Sequence, residues 1–320
     1  MAHRIGQQSG TMATTGVPVQ RRRMSRLAWR EAIAGYLFLL PNLVGFLVFN
    51  LLPILAAFFL TLTEWNLMDS PRFVGLQNFR QLLGDPLFWK TVGNTIYYTI
   101  FAVPIGVFIA FWLALLLNRK MKGVVFFRTI FFLPSVTLGV AIAIVWVWIY
   151  HPELGLLNYG LELIGIDGPS WLQSTAWAMP AIIIMNNWVG IGGAMLIYLA
   201  GLQAIPEEYY EAATIDGATW LQQLRYITVP LISPTTFFIL ITSFIGAMQG
   251  FDSFYVMTRG GPAYATTPLV MYIFQNGFEW FRMGYAAALA AVLFVAIFAI
   301  TAVQWGLARS WVFGFTAEQQ

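Results

Sequence analysis

The sequence has no cysteine and only two histidines, His3 and His151. Disulfides, thiolate nucleophiles and cysteine-ligated metals are therefore excluded, and a histidine-based metal site lacks ligands. Charge is scarce too. Asp, Glu, Lys and Arg make up 10% of the 320 residues, against about 25% in an average soluble domain. So few charges cannot cover a water-soluble fold of this size, which excludes a soluble enzyme. A net charge of +3, dispersed along the chain, offers no patch for nucleic acid. What is abundant is apolar: 59% hydrophobic residues, with a mean hydropathy of +0.70. A disordered chain would show the reverse. This is the composition of an integral membrane protein.

The few charges are spaced. Six windows longer than 20 residues contain none: 32–63, 91–118, 129–152, 168–206, 226–251 and 283–308. Each can supply the roughly 20 apolar residues that cross a bilayer as a helix. The expected spans are about 33–62, 91–118, 129–150, 176–202, 231–257 and 283–308. A β-barrel would show alternating polarity instead of continuous apolar runs. Arg21, Arg22 and Arg23 resemble the basic start of a signal peptide. The apolar run after them is about twice the usual length of such a peptide's core, so it reads as a retained helix. The fold expected is all-α and polytopic. A basic tail (1–31) precedes a six-helix domain (32–308), and a short tail (309–320) follows it. With both termini cytoplasmic, twelve basic residues fall inside and five outside, as the positive-inside rule requires.

One internal segment departs from that rule. Loop 203–230 carries Glu207, Glu208, Glu211 and Asp216 against only Arg225. Pro206 suits a helix start, and the two glutamates after it suit a first turn. Gly217 can end that helix in a left-handed cap. A second amphipathic stretch runs from Trp220 to Ile227, and Pro230 leads into the fifth span. The loop reads as helix, glycine turn, helix.

This loop resembles the EAA loop of ABC importer permeases. Glu211-Ala212-Ala213 is followed after three residues by Gly217, and after nine more by Ile227-Thr228-Val229-Pro230. The departure is Val229, where the family has Leu. Three further segments resemble the carbohydrate-importer permeases: Phe73-Val74-Gly75-Leu76-Gln77-Asn78-Phe79, Arg128-Thr129-Ile130-Phe131-Phe132-Leu133-Pro134, and Gly260-Gly261-Pro262 with Thr266-Thr267-Pro268. The chain looks like the larger permease of the maltose importer without that subunit's extra N-terminal helices and external domain.

The resemblance implies a type I ABC importer permease in a prokaryotic inner membrane. It implies a second permease subunit as a heterodimer partner and two ATPase subunits inside. It also implies a solute-binding protein outside, docking on loops 63–90, 151–175 and 258–282. ATP and Mg would be held by the ATPase. The acidic helix, with Glu207, Glu208, Tyr209, Tyr210, Glu211, Ala212, Ala213, Asp216 and Gly217, would couple to it. This chain has no phosphate-binding loop: Lys90, Lys120 and Lys122 follow no glycine-rich turn. It is expected to catalyse nothing itself and to hold no metal.

No Lys or Arg falls inside a span, so a neutral polyhydroxylated solute such as a sugar fits better than an anion. Candidate pathway residues are Asn186, Asn187 and Trp188 in the fourth span. Gln249, Asp252 and Tyr255 follow on one helical face of the fifth, and Ser135 lies in the third. The alternative for the Asn pair is an interhelical hydrogen bond that serves packing. An ion-coupled secondary transporter is the alternative, though such proteins usually carry charged relay residues in mid-span. A membrane enzyme would need a cluster that His151 and Glu153 do not make alone.

Overall fold

The computed structural model describes residues 26–119 and 122–314. Most of the expected basic tail, Lys120 and the last six residues lie outside them. The chain divides into two compact units, up to Leu55 and from Ala56.

In the first unit, α1 (Arg26–Phe46) passes through a π-helical turn at Leu47–Leu51 into the start of α2 (Leu52–Leu60). Its apolar side chains stand exposed, Phe38 at 86%. That is how a helix looks when its solvent is hydrocarbon.

The second unit continues α2 and adds a two-stranded hairpin, β1 (Thr63–Glu64) against β2 (Arg72–Phe73). Then come α3 (Gln77–Leu83), α4 (Pro86–Leu117), α5 (Val124–Val136), α6 (Gly139–Ile149), α7 (Leu156–Glu162) and α8 (Ala178–Gln203). After them lie α9 (Glu207–Ile215), α10 (Trp220–Gln223), α11 (Val229–Met248), α12 (Asp252–Met257), α13 (Leu269–Phe274) and α14 (Met283–Ala308). Among the described residues five helical stretches are long and apolar enough to cross a membrane, and a bent pair, taken as one span, makes a sixth.

That pair differs from a plain third span. α5 and α6 meet at 100°. Thr137 is extended, three residues after Pro134, which stands inside α5 and lacks the N–H that would bond the carbonyl four residues back. Ser135 Oγ and Thr137 Oγ1 donate to the carbonyls of Phe132 and Leu133 at 2.7 and 3.0 Å. Hydroxyls thus serve carbonyls at the break, as membrane backbone requires. The fifth span also breaks. α11 ends at Met248, Gln249 to Phe251 are non-helical, and α12 restarts at Asp252. At its other end the helix runs back without interruption to Trp220. The second short helix of the acidic loop is therefore the base of the fifth span.

α4, α8 and α11 pack together as the centre of this unit. Ala110 and Ala114 of α4 are fully buried against Met195, Tyr198 and Leu199 of α8. Small residues let membrane helices approach closely, where lipid offers no hydrophobic drive. α5 crosses α8 at Gly192, where a Cβ would lie 2.2 Å from the Phe131 carbonyl oxygen.

One end of the unit is tied by polar groups. Asp85 caps α4 through the Leu87 amide at 2.9 Å. Its other oxygen accepts from the hydroxyls of Tyr272 and Tyr285 at 2.5 and 2.7 Å. Burial alone would raise this carboxyl. The two tyrosine hydroxyls and the Leu87 and Phe88 amides outweigh it and hold the group below its usual value. Asn94 Nδ2 donates to the carbonyls of Tyr264 and Thr267, fastening the glycine-rich loop 258–268 to α4.

Candidate functional site

Two sites take shape, one within the helices and one at the foot of α11. The first is a cleft of about 200 Å³ between α4, α8 and α11. Space is left there because the facing positions are small: Ala102, Gly106, Gly190, Ala194, Gly246 and Ala247. Its polar groups are Tyr98, Asn186, Asn187 and Ser243, and among the described residues no charged one lines it.

Asn186 and Asn187 behave differently. Asn186 Nδ2 donates to Tyr98 Oη and Ser253 Oγ, both at 2.9 Å. It ties α4, α8 and α12 together. Asn187 Nδ2 is buried with no hydrogen-bond partner among the described residues, and its Oδ1 would lie 2.4 Å from a Cβ on Gly106. An unpaired amide away from water costs about 1–3 kcal/mol. A donor left in that state beside a cleft is placed to meet a hydroxyl or carbonyl that arrives from outside the protein.

The other expected pathway residues do not converge there. Trp188 is 48% exposed and leans on Trp146 at 5.6 Å. Gln249 lines a separate cleft against Leu293 and Phe294 of α14. The break at 249–251 divides the single helical face expected for Gln249, Asp252 and Tyr255. Asp252 is exposed, and Tyr255 stacks on Phe251 at 5.2 Å. Ser135 serves its own helix break. Sequence reasoning missed Tyr98, Ser243, Ser253 and Gly106. One signal was available: Thr91, Thr95, Tyr98 and Ala102 recur at helical spacing in an otherwise apolar window and form the buried face of α4.

The second site is the acidic loop. α9 carries Glu207 and Glu208 in its first turn, where the helix dipole favours anions. It ends with Gly217 at φ +77. The Ala218 amide reaches back to the Ala213 carbonyl at 2.8 Å, closing the glycine cap. Thr219 and Gln222 form a capping box at the start of α10. Glu207, Glu208, Tyr209, Glu211, Ala212, Asp216 and Gly217 are exposed. Among the described residues the only ion pair is Arg72–Glu64, so these four acids face solvent without a basic partner. Tyr210 and Ala213 are half-buried. No group of three potential metal ligands occurs among the described residues.

Comparison with known proteins gives concordant results. Residues 88–311 match the family described as binding-protein-dependent transport system inner membrane component. A probable ABC transporter permease protein of Bacillus subtilis, YesP, is 37% identical over 303 residues, covering 93% of this chain and 97% of that one. The trehalose/maltose transport system permease protein MalF of Thermococcus litoralis is 35% identical over 280 residues, covering 87% and 95%. Among solved structures, a chain of a bacterial alginate ABC transporter, in complex with an alginate pentasaccharide-bound periplasmic protein, superposes with a TM-score of 0.79. It is 25% identical, and the match covers 88% of this chain and 95% of that one.

Proposed function

The chain belongs to the family of binding-protein-dependent transport system inner membrane components, and on that premise we propose that it carries a sugar or similar neutral polyhydroxylated solute. It is the multi-pass permease subunit of an ABC importer, a family whose membrane subunits are non-catalytic. In our reading it pairs with a second, different permease chain. Two ATPase subunits, holding ATP and Mg, meet it at α9. A solute-binding protein delivers cargo to the loops within 63–90, 151–175 and 258–282. Both termini and α9 lie on the cytoplasmic side.

One observation carries the solute class: the cleft beside Asn187 holds amide and hydroxyl groups and no charge. A neutral sugar offers hydroxyls that both donate and accept, which such groups can match. An ion or acidic solute would call for a counter-charge at that depth. Trehalose and maltose, named for one relative, are neutral, whereas alginate, named for a structural neighbour, is acidic, so the solute class rests on the uncharged cleft. The ion-coupled alternative drops out with membership of the importer family.

The test is co-purification of tagged chain from native membranes in mild detergent, with uptake measured on a panel of labelled sugars. We expect an ATPase and a second permease in the eluate, lost or weakened in Glu211→Lys, and uptake of neutral saccharides only. An eluate without ATPase after cross-linking would overturn the assembly. Uptake confined to acidic saccharides would overturn the solute class.

A further inference from the structure

Tyr209 and Tyr210 are neighbours in sequence, but the fold separates their roles. Tyr209 stands 54% exposed beside the acids of α9. Tyr210 turns inward, and its hydroxyl shares a hydrogen bond with Thr228 Oγ1 at 3.0 Å. Thr228 is only 3% exposed and lies at the foot of the fifth span, one residue before α11.

Thr228 reaches that position through a local irregularity. Leu224–Thr228 form a π-helical turn between α10 and α11. Such a turn inserts one residue and rotates the two flanking helices by about 100° relative to each other. The Thr228 hydroxyl also lies 3.4 Å from the Gln223 carbonyl, five residues back, a reach that follows the π turn. A second brace runs parallel to the first. Gln223 Nε2 donates to Thr214 Oγ1 at 2.9 Å, and Thr214 Oγ1 donates to the Tyr210 carbonyl at 2.7 Å. Tyr210 and Thr214 are four residues apart and share one face of α9. Two side-chain links therefore join that face to the helix that becomes the fifth span.

We propose that Tyr210 is a positioning residue for energy coupling, not a docking residue. Its bond to Thr228 locks α9 to the foot of α11, so that displacement of the loop swings the fifth span as one lever. That span lines the cleft through Ser243, Gly246 and Ala247, so the same bar that receives the push borders the cleft. Without the lock, α9 pivots on the Gly217 turn and the push is spent in the loop. This inference rests on the reading that α9 meets the ATPase. The acids and Tyr209 then form the contact, and Tyr210 conveys it.

The test uses the complete transporter in proteoliposomes, with solute taken up and ATP hydrolysed measured in the same sample. In Tyr210→Phe the ring stays and the hydroxyl goes. We expect the ATPase to remain bound and hydrolysis to continue, while uptake per ATP falls about fivefold, the population ratio set by a hydrogen bond of about 1 kcal/mol. Thr228→Val should behave alike, and the double variant should be no worse than either single one. Thr228→Ser, which keeps the hydroxyl, should restore coupling. Unchanged uptake per ATP in both Tyr210→Phe and Thr228→Val would overturn the lock. Loss of the ATPase from Tyr210→Phe would also overturn it, making Tyr210 a docking contact after all. Failure of the underlying reading shows elsewhere: Glu211→Lys would then leave the ATPase in place.

Discussion

The cleft and the acidic loop handle polar groups in opposite ways. In the cleft, Asn186 is paired twice while Asn187 next to it keeps a buried, unpaired amide. In the loop, the hydroxyls of Tyr210, Thr214, Thr219 and Thr228 all have partners within the corner, whereas its carboxylates face outward. On the proposed roles, the difference follows from what each region does. A surface that a solute wets and leaves needs bonding capacity in reserve. A lever needs its joints closed, because each open hydroxyl is a place where force is lost to local motion. Polar residues in a membrane transporter are therefore better judged by whether they are paired than by how deep they lie.

The largest effect should come from opening the loop's turn. Gly217 sits at φ +77, which proline, fixed near about −65°, cannot adopt. We expect Gly217→Pro to reduce uptake to background while an immunoblot shows normal membrane abundance. Wild-type uptake by that variant would break the comparison from the loop side.

The next effect sharpens it from the cleft side. Asn187→Val removes the unpaired amide with only a small change in volume. Uptake kcat/KM should fall about tenfold, the consequence of losing a hydrogen bond of about 1.4 kcal/mol to solute. Thermal stability in detergent should hold or rise, since an unsatisfied buried group is gone. A loss of stability together with transport would show that Asn187 is a packing residue.

Asp85 provides a polar cluster with a purely structural task. Its carboxyl is held below the usual 3.8. A depressed carboxyl stabilises the folded state above its unfolded value and loses that contribution as pH falls through the folded value. Asp85→Asn should lower melting temperature by a constant amount from about pH 8 to about pH 5, and by less below about pH 4. Uptake per ATP should not change. The smallest effect is expected from Trp188→Phe. That side chain leans on Trp146 and does not line the cleft, so uptake should stay within about twofold, the scale of a residue that touches only its neighbours.

The spans were legible because lipid imposes a blunt rule: some twenty residues without charge. The breaks were not. Pro134 stands at the 100° bend between α5 and α6, yet Pro41 and Pro104 sit inside unbroken helices. Proline allows a break, and neighbouring helices decide whether one occurs. Gly250 gave similarly little notice of the interruption after α11, and with it the expected face of Gln249, Asp252 and Tyr255 was lost. The glycine cap and acidic first turn of α9 were readable, since caps follow local rules. The inward turn of Tyr210 was not, because it depends on the π-helical turn at Leu224–Thr228. No composition signal marks that turn. In the fourth span the asparagine pair stood out against apolar neighbours, but only packing distinguishes the paired amide from the free one.

The most direct test of the central claim uses the absence of cysteine in this chain. Glu211→Cys supplies a single thiol on α9, to be treated in intact cells with a membrane-impermeant maleimide and in isolated membranes with a thiol-directed photocross-linker. The account predicts no labelling from outside, and a cross-link to the ATPase subunit that appears in membranes of the assembled importer. Labelling of that thiol from outside the cell, with no cross-link to an ATPase, would contradict both the orientation and the coupling role assigned to the loop.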